Sequence, residues 1–277
     1  MTSTTIGGLR CHDWGGAPGA PALLLLHGFS DSGRCWVDAV DHWTTDFHVL
    51  TVDARGHGQS ERFTPSQLAS GPQAVMVEDI VQLLDSWPAL AGRPVALVGH
   101  SMGGGVACEV ALARPDRVAA VVLEDPALGP SDGTTAGHET AVRREWGAAQ
   151  VAQLTRYAVD PAFATAEVAQ FVRTSPAVEA HEWLAAKHQT DLDMTAGGRI
   201  RPERPWRQAV AELTVPTLVV SGTREVIWEP QEWAALQACG NPVVETAVVD
   251  GADHCVRRTR PEGFYAVVDP WLHRHLR

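Results

Sequence analysis

The sequence predicts a three-layer α/β fold built on a mostly parallel central sheet, and three observations carry that prediction. Short apolar runs recur along the chain, each ended by a turn signal: ALLLL at 22–26, HVLTV at 48–52, VALVG at 95–99, VAAVVL at 118–123, TLVVSG at 217–222 and VVETAVV at 243–249. They do not alternate with polar residues, which suits strands buried on both faces. Between them lie stretches with helical spacing, and alternating strand and helix implies right-handed crossovers with helices on both faces of the sheet.

The helices can be placed in turn. In MVEDIVQLLDSW (76–87), Val77, Ile80, Val81 and Leu84 share one face while Glu78, Asp79, Gln82 and Asp85 point away. GGGVACEVALARPDR (103–117) is a second helix ending near Arg114, because Pro115 disfavours helical geometry in the residue before it. From 127 to 212 no strand is expected. Helices are expected near 138–153, 161–173, 177–190 and 203–212, punctuated by Pro130, Pro161, Pro176, Pro202 and Pro205. The expected organisation is therefore a core of 1–126 and 213–277, with a helical cap of 127–212 inserted after strand six and lying over one end of the sheet.

Composition narrows the function classes. The apolar share of 45% and charged share of 20% are those of a globular chain able to bury a sizeable core without disulfides or metal. A formal charge of −11, with one lysine, Lys187, and no basic run, argues against a nucleic-acid surface. Five scattered cysteines without a C-x-x-C point to a reduced, cytoplasmic setting. The first residues, MTSTTIGGLR, hold no apolar signal segment, and the longest apolar run is too short to span a bilayer.

The chemistry concentrates in ALVGHSMGGG (96–105). Gly99-His100-Ser101-Met102-Gly103 fits G-x-S-x-G between a strand and a helix, the context in which a sharp turn lifts a nucleophilic serine above the sheet. The helix that follows offers free N–H groups and its dipole to nearby negative charge. A serine hydroxyl needs a base. Among twelve histidines, His254 stands on the loop after the last apolar run and follows the serine in chain order. Its imidazole can accept and return a proton near neutrality.

Together these segments resemble the α/β-hydrolase superfamily over nearly the whole chain. HGFSDSG (27–33) is similar to its oxyanion loop, DARGHGQS (53–60) to the turn after the next strand, GHSMGG (99–104) to its elbow, RPDRV (114–118) to the helix end, and GADH (251–254) to its histidine loop. The resemblance implies an oxyanion hole made by the backbone N–H groups of Phe29 and Met102. It also implies that His27 and Gly28 stand near the substrate pocket, with His27 supporting loop geometry. The histidine loop departs from the family's G-x-G-H at Asp253, read here as a substitute that tolerates left-handed backbone.

The acid that orients the histidine is open between two glutamates. Gly222-Thr223-Arg224-Glu225 matches the family's G-x-x-D register with glutamate in place of aspartate, and VVLEDP offers Glu124 and Asp125 one strand earlier. We read Asp125, before a proline, as a structural turn residue, and Glu124 as the acid, because an apolar strand that ends on a carboxylate must give it a partner. Glu225 remains the competitor.

The remaining features have plain readings. Asp53, Arg55, His57 and Ser60 form a turn held by side-chain hydrogen bonds. In HEWLAAKH (181–188) the second histidine stands seven residues after the first rather than four, so H-E-x-x-H is absent, and no G-x-G-x-x-G opens the first helix, so no metal or other cofactor is expected. Trp146, Trp183 and Trp206 are core or pocket wall, with Trp183 the candidate for the pocket. The expected activity is hydrolysis of a small, moderately apolar carboxylic ester or lactone through a serine acyl-enzyme. The alternatives are a carbon–carbon bond hydrolase, a cofactor-free dioxygenase using the His–acid pair, and a small-molecule receptor with residual hydrolase activity. A small-molecule substrate is the expected partner, with no nucleic acid or membrane, and homo-oligomerisation is left open.

Overall fold

A computed structural model describes residues 1–131 and 136–276. Eight strands form one sheet: β1 (Thr2–Ile6), β2 (Leu9–Gly15), β3 (Ala22–Leu26), β4 (His48–Val52), β5 (Val95–His100), β6 (Val118–Glu124), β7 (Thr217–Ser221) and β8 (Val244–Val248). Their spatial order is β1-β2-β4-β3-β5-β6-β7-β8. β3 to β8 are parallel, each near an expected apolar run, whereas β1 and β2 pair antiparallel and extend the sheet beyond β4. Those two strands carry no buried apolar run: β1 reads TSTTI and is largely exposed.

Among the described residues twelve α-helices accompany the sheet: α1 (Val37–Trp43), α2 (Pro65–Ser70), α3 (Pro72–Ser86), α4 (Met102–Ala113), α5 (Ala136–Val159), α6 (Pro161–Thr174), α7 (Ala180–His188), α8 (Leu192–Gly197), α9 (Trp206–Glu212), α10 (Pro230–Gln237), α11 (Val256–Thr259) and α12 (Pro261–His275). The period of two along a strand divides the core between the two faces of the sheet. In β3, Leu24 and Leu26 pack with Met76, Ile80 and Leu84 of α3 and Val106 and Val110 of α4. Leu23 and Leu25 pack instead with Trp36, Val40 and Trp43 near α1 and with Phe264, Val268 and Trp271 of α12. On α3 the burial differs from expectation at Asp79, which turns inward to meet Arg55 through two bonds of 2.8 and 2.9 Å.

α5 to α9 all lie between β6 and β7. The helix expected at 177–190 forms as a 3-10 turn at Ala177–Glu179 followed by α7, and beyond it α8 starts where Asp191 caps the N–H groups of Asp193 and Met194. Residues 132–135 of the expected cap lie outside the described residues. Among the described residues, no helix is long and apolar enough to cross a membrane, and the five cysteines are free thiols.

Candidate active site

The site is assembled at the C-terminal ends of the parallel strands, where side chains from different strands converge above the sheet. β5 ends at His100, and Ser101 turns the chain into α4 with φ 52° and ψ −115°. A β-carbon at Gly99 would strike the Gly103 carbonyl, and one at Gly103 would strike the Leu26 carbonyl, so the turn requires both glycines. The strained residue is held by hydrogen bonds on both sides: Ser101 N–H donates to the Glu124 carbonyl at 3.0 Å, and its own carbonyl accepts from Ala127 N–H at 2.8 Å.

His254 lies on the loop after β8 and meets Asp125, not Glu124. His254 Nδ1 donates to Asp125 Oδ2 at 2.6 Å, and Asp125 is fully buried while the imidazole is partly open. Asp125 Oδ2 also accepts from Ile227 N–H at 2.9 Å, and Oδ1 accepts from Ser221 Oγ at 2.8 Å. This corrects the acid expected from sequence. Glu124 is still in strand register, opposite His100, and its side chain takes the other course: Oε1 accepts the Arg257 N–H at 2.7 Å. Asp125 has left the strand with φ 36°, and that turn carries its carboxylate toward β7 and the histidine loop. Glu225, the other candidate, is exposed at the cavity rim, also at positive φ (49°).

A cavity of about 670 Å³ opens over Ser101 and His254, within the range usual for small-molecule sites. Phe29, Trp146, Phe171 and Trp183 give it apolar walls, three of them from the helices between β6 and β7. The Trp183 ring stacks on Phe171 with centroids 4.7 Å apart, and Trp146 meets Phe29 edge-on at 4.9 Å. Trp206 is core, 2% exposed. Phe29 stands on the loop after β3, and Met102 is the first residue of α4, so its N–H belongs to the first turn, which has no intrahelical acceptor.

His27 and Gly28 do not line this cavity, which corrects the pocket expected from sequence. Both ring nitrogens of His27 are engaged: Nδ1 donates to the Gly28 carbonyl at 2.8 Å and Nε2 accepts Ala54 N–H at 2.9 Å. Burial lowers its pKa, so it serves as a neutral strut between two loops. Gly28 is pressed against His100, whose Nδ1 lies 2.6 Å from where a β-carbon would sit. Asp253 is likewise no left-handed substitute. The positive φ of that loop belongs to Gly251 (71°), and the Asp253 carboxylate accepts Arg224 Nε at 2.8 Å.

Several neighbours escaped sequence reasoning. His100 Nε2 donates to the His254 carbonyl at 3.2 Å, and burial holds the His100 pKa well below its ordinary value, so a neutral ring braces the histidine loop. Beneath lies a chain of buried charges. Lys187 and Arg258 flank Asp31, and Glu179 joins Arg258 (2.6 Å) to Arg257 (2.6 Å). His100, Glu124 and Cys255 bring ligand atoms within 4.8 Å of one another. Burial pushes the Cys255 thiol up to about 12 and raises the Glu124 carboxyl, and both feel the Arg257 and Arg258 charges, so this donor set is a poor cradle for a cation.

Known proteins agree with the architecture. A family model described as the alpha/beta hydrolase family matches residues 23–267. Lipase LipV of Mycobacterium tuberculosis is 38% identical over 112 residues, 40% of this chain and 40% of that protein, so the match spans well under half of either. Among solved structures, the enol-lactonase from Burkholderia xenovorans LB400 superposes with TM-score 0.72 at 21% identity, covering 98% of this chain and 100% of its own. A thermophilic esterase from Thermogutta terrifontis does so with TM-score 0.72 at 24% identity, covering 100% and 98%. At such identities the structures speak for the fold, and the family match extends over most of the 277 residues. The chain belongs to the alpha/beta hydrolase family.

Proposed function

We propose that this chain is a serine hydrolase that cleaves a small, moderately apolar carboxylic ester or lactone through an acyl-enzyme. The observation that carries the reading is the 2.6 Å bond from His254 Nδ1 to the buried Asp125, with Ser101 at a strained turn on the wall of the same cavity. With Nδ1 committed to Asp125, the other imidazole nitrogen is the one that takes the Ser101 proton as the hydroxyl attacks the carbonyl. Asp125 fixes the tautomer and stabilises the imidazolium. The N–H groups of Phe29 and Met102 receive the negative charge that develops on the carbonyl oxygen. The imidazolium then protonates the leaving alcohol. A water deprotonated by the same histidine attacks the acyl carbonyl, and the imidazolium returns that proton to the departing Ser101 oxygen as the acid is released.

The helices between β6 and β7 act in this reading as a cap whose tryptophans Trp146 and Trp183 exclude water from the acyl group. The names of similar proteins, a lipase, an enol-lactonase and an esterase, support an ester or lactone substrate. The test is the intact mass of wild type and Ser101→Ala after exposure to a fluorophosphonate, followed by an ester and lactone panel. One adduct on wild type alone, with turnover lost in the variant, supports the reading. An unmodified, folded wild type that turns over no ester overturns it.

A further inference from the structure

Lys187 is the single lysine of the chain, and its placement is unusual for that residue. It projects from α7 to the loop after β3 and is only 9% exposed. Its Nζ donates to the Ser30 carbonyl at 2.9 Å, to Ser30 Oγ at 2.9 Å and to Asp31 Oδ1 at 3.3 Å. An ammonium has three protons, and three oxygens take them. No proton is left over for a substrate, although Lys187 borders the cavity. The face of Trp183 covers the ammonium at 4.7 Å.

The residue it grips is strained. Asp31 N–H bonds the Gly28 carbonyl at 3.2 Å and closes a four-residue turn, Gly28-Phe29-Ser30-Asp31. Ser30 occupies the third position at φ 57°, where turns with that backbone favour glycine. A non-glycine residue there costs on the order of 1–3 kcal/mol and persists only when its surroundings hold it. Here the hold comes from another part of the chain, 157 residues away, through both the carbonyl and the hydroxyl of the strained residue. Asp31 is held in turn by Arg258, four residues beyond His254, at 2.9 Å. Burial alone would raise the Asp31 carboxyl, and Arg258 and Lys187 together overcome it and hold it well below its ordinary value.

We propose that Lys187 is a positioning residue for the oxyanion hole: its ammonium pins the Gly28–Asp31 turn so that the Phe29 N–H is aimed at the reacting carbonyl only while α7 is seated on the core. The role rests on the hydrolase reading. It makes the inserted helices part of the catalytic apparatus, beyond their part as a pocket wall. A guanidinium is planar and could not satisfy the same three oxygens from one nitrogen.

The test compares wild type with Lys187→Met and Ser30→Ala by three measurements. These are kcat and KM on an ester the wild type cleaves, inhibition by an alkylboronic acid that mimics the tetrahedral intermediate, and hydrogen exchange of residues 28–34. Loss of one oxyanion donor costs about 10²–10³ in rate. A misaimed donor should therefore lower kcat by about tenfold to a hundredfold with KM little changed. Boronate inhibition should weaken by the same factor while affinity for the carboxylic acid product holds, and exchange in 28–34 should quicken. Ser30→Ala, which removes one of the three bonds and leaves the buried ion pair, should move each reading the same way by less. It carries the test if Lys187→Met does not fold. Unchanged kcat and boronate affinity in a folded variant would overturn the proposal, as would a rise in KM alone, which would make Lys187 a substrate contact. If the wild type itself neither reacts with a fluorophosphonate nor cleaves an ester, the hydrolase reading has failed instead. The exchange measurement then still decides whether Lys187 holds the turn.

Discussion

His254 and Asp125 are joined through Nδ1 and Oδ2 at 2.6 Å, across 129 residues of sequence, and the adjacent Glu124 takes no part in that bond. Asp125→Asn replaces the acceptor by a group that can donate, which favours the wrong imidazole tautomer. By analogy with a serine–histidine–aspartate triad, kcat on a cleaved ester should fall by about 10⁴. Glu225→Gln, at the exposed rim, should stay within about twofold. Steady-state kinetics on the two variants, with circular dichroism as the control for folding, check the assignment.

Glu124→Gln tests the neighbouring carboxylate through stability. Burial raises the Glu124 pKa above its ordinary value of 4.5, against the opposing pull of Arg257. A raised carboxyl favours the native state while protonated, and that advantage is lost as pH rises from 4.5 through the folded value. Glutamine keeps an acceptor for the Arg257 N–H and never ionises. The melting temperature of Glu124→Gln relative to wild type should therefore climb between pH 4.5 and neutrality, with no comparable trend below. A flat difference across that range would show that Glu124 is not destabilised when charged.

Ser101 sits at φ 52°, where a β-carbon is strained and glycine is not. Ser101→Gly and Ser101→Ala should both abolish turnover, and the glycine variant should be more stable by about 1 kcal/mol. For a chain of this size that is a difference of about 2–4 °C in melting temperature. Equal melting temperatures would mean that the turn stores no strain at this residue.

Glu179→Gln should be among the more damaging single changes in the molecule. The carboxylate is fully buried and answers two guanidiniums, Arg257 and Arg258. Removing one partner of such a group costs about 3–5 kcal/mol, because the remaining charges are left uncompensated. Burial alone would raise the Glu179 pKa, but Arg257 and Arg258 together hold it below 4.5. The stabilisation is then present above pH 4.5 and is lost as pH falls through the lowered value. Thermal melts of both proteins should converge in acid and lie furthest apart near neutrality.

Much of the scaffold was legible because its strands are written as continuous apolar runs, and β3 to β8 formed close to where those runs stand. The antiparallel pair β1 and β2 left no such mark, since β1 is polar and largely exposed and in β2 the buried Leu9 and Cys11 are interrupted by Arg10, His12 and Asp13. The turn at Ser101 was legible from its glycines. The acid was not: the choice between Glu124 and Asp125 depends on one backbone rotation at the strand end, where Asp125 adopts φ 36°. Asp253 failed for the opposite reason, because the unusual backbone it was expected to carry belongs to Gly251. Lys187, Asp31, Arg258 and Glu179 could not be grouped in advance, since each partner comes from a distant part of the chain.

Glu179, Trp183 and Lys187 recur every fourth residue, so the 3-10 turn and α7 present an anion, an aromatic ring and a cation in one row. The two charged members are matched by Arg257 and Arg258 at one end and by Ser30 and Asp31 at the other. The segment between β6 and β7 is therefore not freely interchangeable with the corresponding segment of a relative. A transplanted insertion would have to bring a carboxylate and an ammonium to the same two sockets, or leave buried arginines and an aspartate stranded beneath the new roof. On the hydrolase reading, chimeras that keep this row and vary α5, α6 and α9 should change which esters are cleaved while leaving the proposed Ser101 site in place.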